Sequence, residues 1–149
     1  MPSPAESQPR APADAPFLQS GAELLKRAED ARFAGDIPRA KVLLLELRQR
    51  FYGTEPAVRA AFELGRITFD AEHDYAKAAG WFELVLKERP SIGFAREALG
   101  RALEAKSKSG DAEGTKRHAV KYLAVYPDGP HAAFARRVLQ PSGRDEEVP

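Results

Sequence analysis

Cysteine is absent from the 149 residues, which removes disulfides, thiolate metal ligands and thiol nucleophiles from consideration. That absence is compatible with cytoplasm or periplasm. No apolar run approaches the roughly 20 residues that a membrane helix requires, and the N-terminus has neither the basic start nor the apolar stretch of a signal peptide. No direct membrane insertion is expected. An excess of one charge is also missing: 23 basic against 22 acidic side chains leave +1, with no broad electrostatic preference for nucleic acid or anionic lipid. The three histidines, His73, His118 and His131, stand apart without the spacing of a metal site, and read as solvated or helix-terminal. The glycines form no phosphate loop or dinucleotide fingerprint, and no nucleophile, base and orienting group recur together. No catalytic, cofactor-binding or metal residues are therefore predicted, and no enzyme.

What is present is helix-forming. Of 12 prolines, five fall within the first 16 residues (Pro2, Pro4, Pro9, Pro12 and Pro16), which predicts a disordered Pro/Ala-rich linker over 1–16. From 17 to 140 the composition shifts to Ala, Leu, Glu, Lys and Arg with few alternating β-branched runs, and an all-α domain is predicted. Its prolines, Pro38, Pro56, Pro90, Pro127 and Pro130, fall at breaks in the apolar period or just inside a helix start. The segment 141–149 is predicted to be a disordered tail.

Three segments of this domain repeat. Anchored on Asp36, Asp74 and Asp111, they are spaced 38 and 37 residues apart. Each continues with a small residue (Ala40, Ala78, Thr115), then Leu44, Phe82 or Ala119, then Leu47, Val85 or Tyr122, on one helical face. Leu-Gly-Arg recurs upstream of the second and third anchors, at Leu64 to Arg66 and Leu99 to Arg101. Each unit reads as a helix pair. A seventh helix after Pro127, with Ala132, Ala133, Phe134 and Val138 on its apolar side, reads as a cap.

These residues resemble the tetratricopeptide repeat. Leu64, Gly65, Asp74, Tyr75, Ala78, Phe82 and Pro90 follow the family's order in the second unit, with one extra residue between Gly65 and Asp74. The third unit keeps Leu99, Gly100, Gly110, Asp111 and Pro127, and the first keeps Gly35, Asp36 and Ala40. The resemblance implies an α-α superhelix of three degenerate pairs plus the capping helix. It also implies a non-catalytic scaffold that binds a protein or peptide in a concave groove lined by the first helix of each pair. Carried over by register, the groove positions are Glu29, Arg32 and Phe33 in the first unit, Arg59, Glu63, Arg66 and Asp70 in the second, and Phe94, Glu97, Arg101 and Glu104 in the third.

Physical chemistry reads the same residues independently. Gly65 and Gly100 lie inside predicted helices, where each costs about 1 kcal/mol relative to alanine, so close approach of a neighbouring helix is expected there. Trp81, beside Phe82, reads first as packing. The basic clusters at Lys41, Arg48 and Arg50, at Lys106 and Lys108, and at Lys116, Arg117, Lys121, Arg136 and Arg137 are interleaved with acids and lack aromatics. They read as solvated faces, with no nucleic acid partner. Self-association through the second helices or the cap, giving a homo-oligomer, is the rival reading. The degenerate repeats and Pro-rich start are similar to envelope-associated bacterial repeat domains, such as FecR-like or anti-sigma regulators and outer-membrane assembly lipoproteins. That likeness implies a periplasmic or cell-envelope setting, with cytoplasm as the alternative. It also makes the start a linker from an upstream segment.

Overall fold

A computed structural model describes residues 20–141; the linker expected over 1–16 and the tail beyond 141 lie outside these. Seven helices occur among the described residues, with no strand: α1 (Gly21–Phe33), α2 (Ile37–Arg50), α3 (Glu55–Asp70), α4 (Tyr75–Glu88), α5 (Ala95–Ser109), α6 (Ala112–Val125) and α7 (Ala132–Leu139). The all-α class and the helix pairs agree with the sequence.

The three anchoring aspartates each start the second helix of a pair. The carboxylates of Asp36, Asp74 and Asp111 accept hydrogen bonds from the N–H of Arg39 at 3.2 Å, Lys77 at 3.2 Å and Gly114 at 2.8 Å. Each thereby satisfies a donor that the helix itself leaves open. Before Asp36 and Asp111, Gly35 and Gly110 adopt φ of 82° and 83°, a left-handed conformation that glycine reaches without a Cβ penalty. The N–H groups of Asp36 and Asp111 then bond back to the carbonyls of Ala31 (2.9 Å) and Lys106 (3.1 Å). In the second pair His73 holds the left-handed position at φ 54°. There the N–H of Asp74 reaches one residue further back, to Thr68 at 3.0 Å, so the extra residue is absorbed in a wider turn.

The chain divides into two compact units, at Ala60 and Ala61. In the first, α1 packs on α2, burying Leu24, Ala28 and Ala31 of the one and Ala40, Leu43, Leu44 and Leu47 of the other. The Arg48 guanidinium donates to the Ala57 carbonyl at 2.7 Å, tying the end of α2 to the start of α3. In the second, α4 packs on α5, α5 on α6 and α6 on α7, in chain order. Leu99, Leu103, Ala119, Tyr122, Ala132 and Ala135 form one buried cluster there, with Phe134 and Val138 packed against it. Ala133, expected on the covering side of the cap, is exposed.

Two further features fix the second unit. Lys106 Nζ lies 3.1 Å from Glu83 of α4 and 3.2 Å from Asp111, the cap of α6. Burial pulls its pKa down, but hydrogen bonds to the two carboxylates more than offset that and raise it. His118, half-buried 3.7 Å from Glu83, has its pKa lowered by burial, against the opposing pull of Glu83. It is a packed histidine, not the solvated one the sequence suggested. Along α3, every residue from Ala57 to Phe69 is buried except Arg59 and Arg66, which are half-buried.

Candidate partner-binding face

The two mid-helix glycines are close-packed, each in its own way. A Cβ on Gly65 would stand 2.7 Å from the ring of Phe82 on α4, which is wholly buried and meets Phe62 edge to face at 5.5 Å. At Gly100 the neighbour is the imidazole of His131, ahead of α7, and not α6. The reason is legible in the repeat. Ala119 stands at the third unit's equivalent of Phe82, so α6 has no ring to fill the hollow over Gly100, and the cap supplies one. His131 is held from two further sides: its N–H donates to the Tyr122 hydroxyl at 3.0 Å, and its Nε2 bonds Glu104. That bond to His131 holds the Glu104 carboxyl below its ordinary range, against burial, which raises it; the charges of His131, Arg101 and Lys108 add to the lowering.

Of the expected groove residues in the second compact unit, from Ala61 onward, several are fixed in pairs. The Arg101 guanidinium lies 4.5 Å from the Phe69 ring centroid and 5.6 Å from that of Phe82, and donates to Asp70 at 3.1 Å. A cation spread over aromatic faces with a carboxylate at its edge is a rigid arrangement. Phe94 is half-buried, with its ring 5.3 Å from Phe62. Glu63 is only 2% exposed and lies 3.5 Å from Arg66, so this carboxylate belongs to the buried face of α3 and is not presented at an open groove. Glu97 is exposed.

His131 borders two depressions in the surface. Arg96, Glu97, Tyr122, Pro130 and His131 line a depression of about 230 Å³. Glu104, Lys108, His131, Phe134 and Arg137 line another of about 400 Å³. Arg137 lies 5.7 Å from the Phe134 ring centroid, which places a cation beside an aromatic surface at its rim. In the first compact unit, which reaches Ala60, Glu29, Arg32 and Arg59 are half-buried, and Phe33 at the end of α1 is 81% exposed with Arg32 at 5.0 Å from its ring.

No protein-family model matches the chain, and no curated protein matches it. Among the described residues no group of three histidine or carboxylate side chains is placed to hold a metal ion, and no helix is long and apolar enough to cross a membrane. What α5 and α7 present is mixed charge, an aromatic edge and two shallow hollows, chemistry suited to recognition. His131, Tyr122, Lys108, Phe134 and Arg137 were not among the residues the sequence marked for binding. The small Ala119, at the repeat position that Phe82 holds in the preceding pair, was the available signal that something beyond α6 must fill the space over Gly100.

Proposed function

We propose that the chain is a non-catalytic helical-repeat scaffold of tetratricopeptide type that holds a segment of another protein against the first helices of its pairs. In the second unit the face used is that of α5 and α7. The observation that carries this reading is the fixed layout around the two depressions. Glu104 is bonded to His131, which lines both depressions, while Arg96, Glu97 and Lys108 stand exposed in their linings; on the same helix Arg101 is held by Asp70 and two rings. Preformed side chains bind with less loss of conformational entropy, and mixed charge selects a partner of alternating polarity. The resemblance to envelope-associated repeat domains supports a bacterial cell-envelope or signalling assembly as the setting.

The test uses the intact chain. Peptides selected from a random display library for binding to it are expected to lose about tenfold or more in affinity on combined Glu97→Lys and Lys108→Glu. They are expected to be indifferent to Lys87→Glu on α4. Peptides that bind the double variant as well as the parent would refute the assignment of this face.

A further inference from the structure

Charge is distributed unevenly over the face of α5 and α7. At the start of α5, the depression of about 230 Å³ has one cation and one anion in its lining, Arg96 and Glu97. The depression of about 400 Å³ has Lys108, in the last turn of α5, and Arg137, in the last turn of α7. Both are exposed, and neither is in an ion pair among the described residues. The Lys108 ammonium stands 5.3 Å from the Tyr75 ring centroid and the Arg137 guanidinium 5.7 Å from that of Phe134. A ring face attracts a cation but leaves its charge uncancelled. The acid in the same lining, Glu104, is bonded to His131. Helix ends favour cations in general, which accounts for one on each helix but not for both bordering a single hollow.

The rest of that hollow is apolar or aromatic: Pro130, the half-buried ring of Phe134 and the imidazole of His131. Rings and a guanidinium plane offer an incoming aromatic side chain more than an aliphatic one, because stacking adds to the burial of its surface. The two depressions share Pro130 and His131 in their linings, so an extended chain passing His131 enters both, whereas a compact small molecule fills one. We infer that the larger depression takes an aromatic side chain of the partner segment that is followed closely by aspartate or glutamate. This rests on the face of α5 and α7 being the binding surface, and it specifies what that surface selects. The ring lies against Pro130 and Phe134 beside the Arg137 guanidinium, and the carboxylate is held between Lys108 and Arg137. Arg96 and Glu97 balance each other and make no such demand, so the partner's acid is confined to one end of the segment and sets its direction along the face.

The probe is a random peptide display library, selected in parallel on the intact chain and on its Lys108→Glu, Arg137→Glu double variant. The parent is expected to enrich an aromatic residue followed by Asp or Glu, and the variant an aromatic residue followed by Lys or Arg. A parent-selected peptide, synthesised with both ends blocked so that only side chains carry charge, should bind more weakly as salt rises. Replacing its aromatic residue by serine, or its acid by lysine, should each weaken it about tenfold or more. The lysine form should bind the double variant better than it binds the parent, a gain that a damaged fold would not produce. Selected peptides that lose affinity on Glu97→Lys with Lys108→Glu, yet carry no aromatic and acid pair, would overturn this inference and leave the binding face standing. Peptides indifferent to that change would remove both. Binding that needs a free carboxyl terminus, or a dimer in sedimentation that Lys108→Glu with Arg137→Glu abolishes, would also overturn it.

Discussion

A single methyl group added at Gly65 tests the packing of the second unit directly. Inside a helix, replacing glycine by alanine ordinarily gains about 1 kcal/mol. At Gly65 the new Cβ would stand 2.7 to 2.9 Å from three atoms of the Phe82 ring, whereas carbons in good contact stand about 3.5–4.0 Å apart. The ring has little room to yield, because Phe82 is wholly buried and Phe62 abuts it, with Phe94 behind Phe62. Overpacking of this kind costs about 1–3 kcal/mol. Set against the gain in helix propensity, Gly65→Ala should destabilise by about 1 kcal/mol or somewhat more. Gly80 is the internal control: it lies mid-helix in α4, is exposed, and nothing stands within 4 Å of its notional Cβ. Gly80→Ala should therefore stabilise by about 0.5–1 kcal/mol. For a chain of this size the first change lowers Tm by roughly 3–6 °C and the second raises it by roughly 2–4 °C. Thermal and urea unfolding of the intact protein by circular dichroism would read both. Adding Phe82→Leu should lessen the penalty at Gly65, as a double-mutant cycle would show. A Gly65→Ala protein as stable as its parent would refute the close contact.

Gly100→Ala would press on the His131 ring, and amide exchange across α7 is expected to quicken by about tenfold or more while α4 is unaffected; unchanged protection in α7 would show that the histidine does not anchor it. Stability should fall with acid in two stages. The pKa of His118 is lowered by burial from its ordinary 6.5, so the unfolded chain takes up this proton first, and stability present above pH 6.5 is lost as pH drops below it. The pKa of Glu104 is lowered from 4.5 by its bond to His131, so its contribution, full above pH 4.5, is lost as pH falls further. In urea midpoints measured against pH, His118→Gln should flatten the upper stage and leave the lower one; an unaltered profile would contradict the burial of this ring.

The parts of the fold legible in the sequence are those set by local demands. Asp36, Asp74 and Asp111 mark helix starts because a short acceptor must meet open N–H groups, and Gly35 and Gly110 mark the turns because the backbone there is left-handed. Apolar spacing located the second helices for the same reason. Relations set at a distance were not legible. Periodicity implies one buried side for α3, yet neighbours cover nearly all of it, including Glu63 and Thr68. The pairing of His131 with Gly100 spans helices that no local pattern links. Arg101 was marked for binding by its place beside Gly100, but its side chain lies flat on two rings, which depends on where Phe69 and Phe82 end up. Exposed residues such as Glu97 satisfy no internal constraint, so sequence could nominate them only through the register of the family they resemble.

The substitution of a ring from beyond α6 for the one missing at Ala119 sets the smallest piece that can be moved between proteins. A cut after Val125, where the repeat formally closes, would leave a hole above Gly100 and strip the Tyr122 hydroxyl of its backbone donor. Grafts or tandem copies of the third pair should therefore run to Leu139, and swaps that import a phenylalanine at Ala119 should drop His131 in the same step.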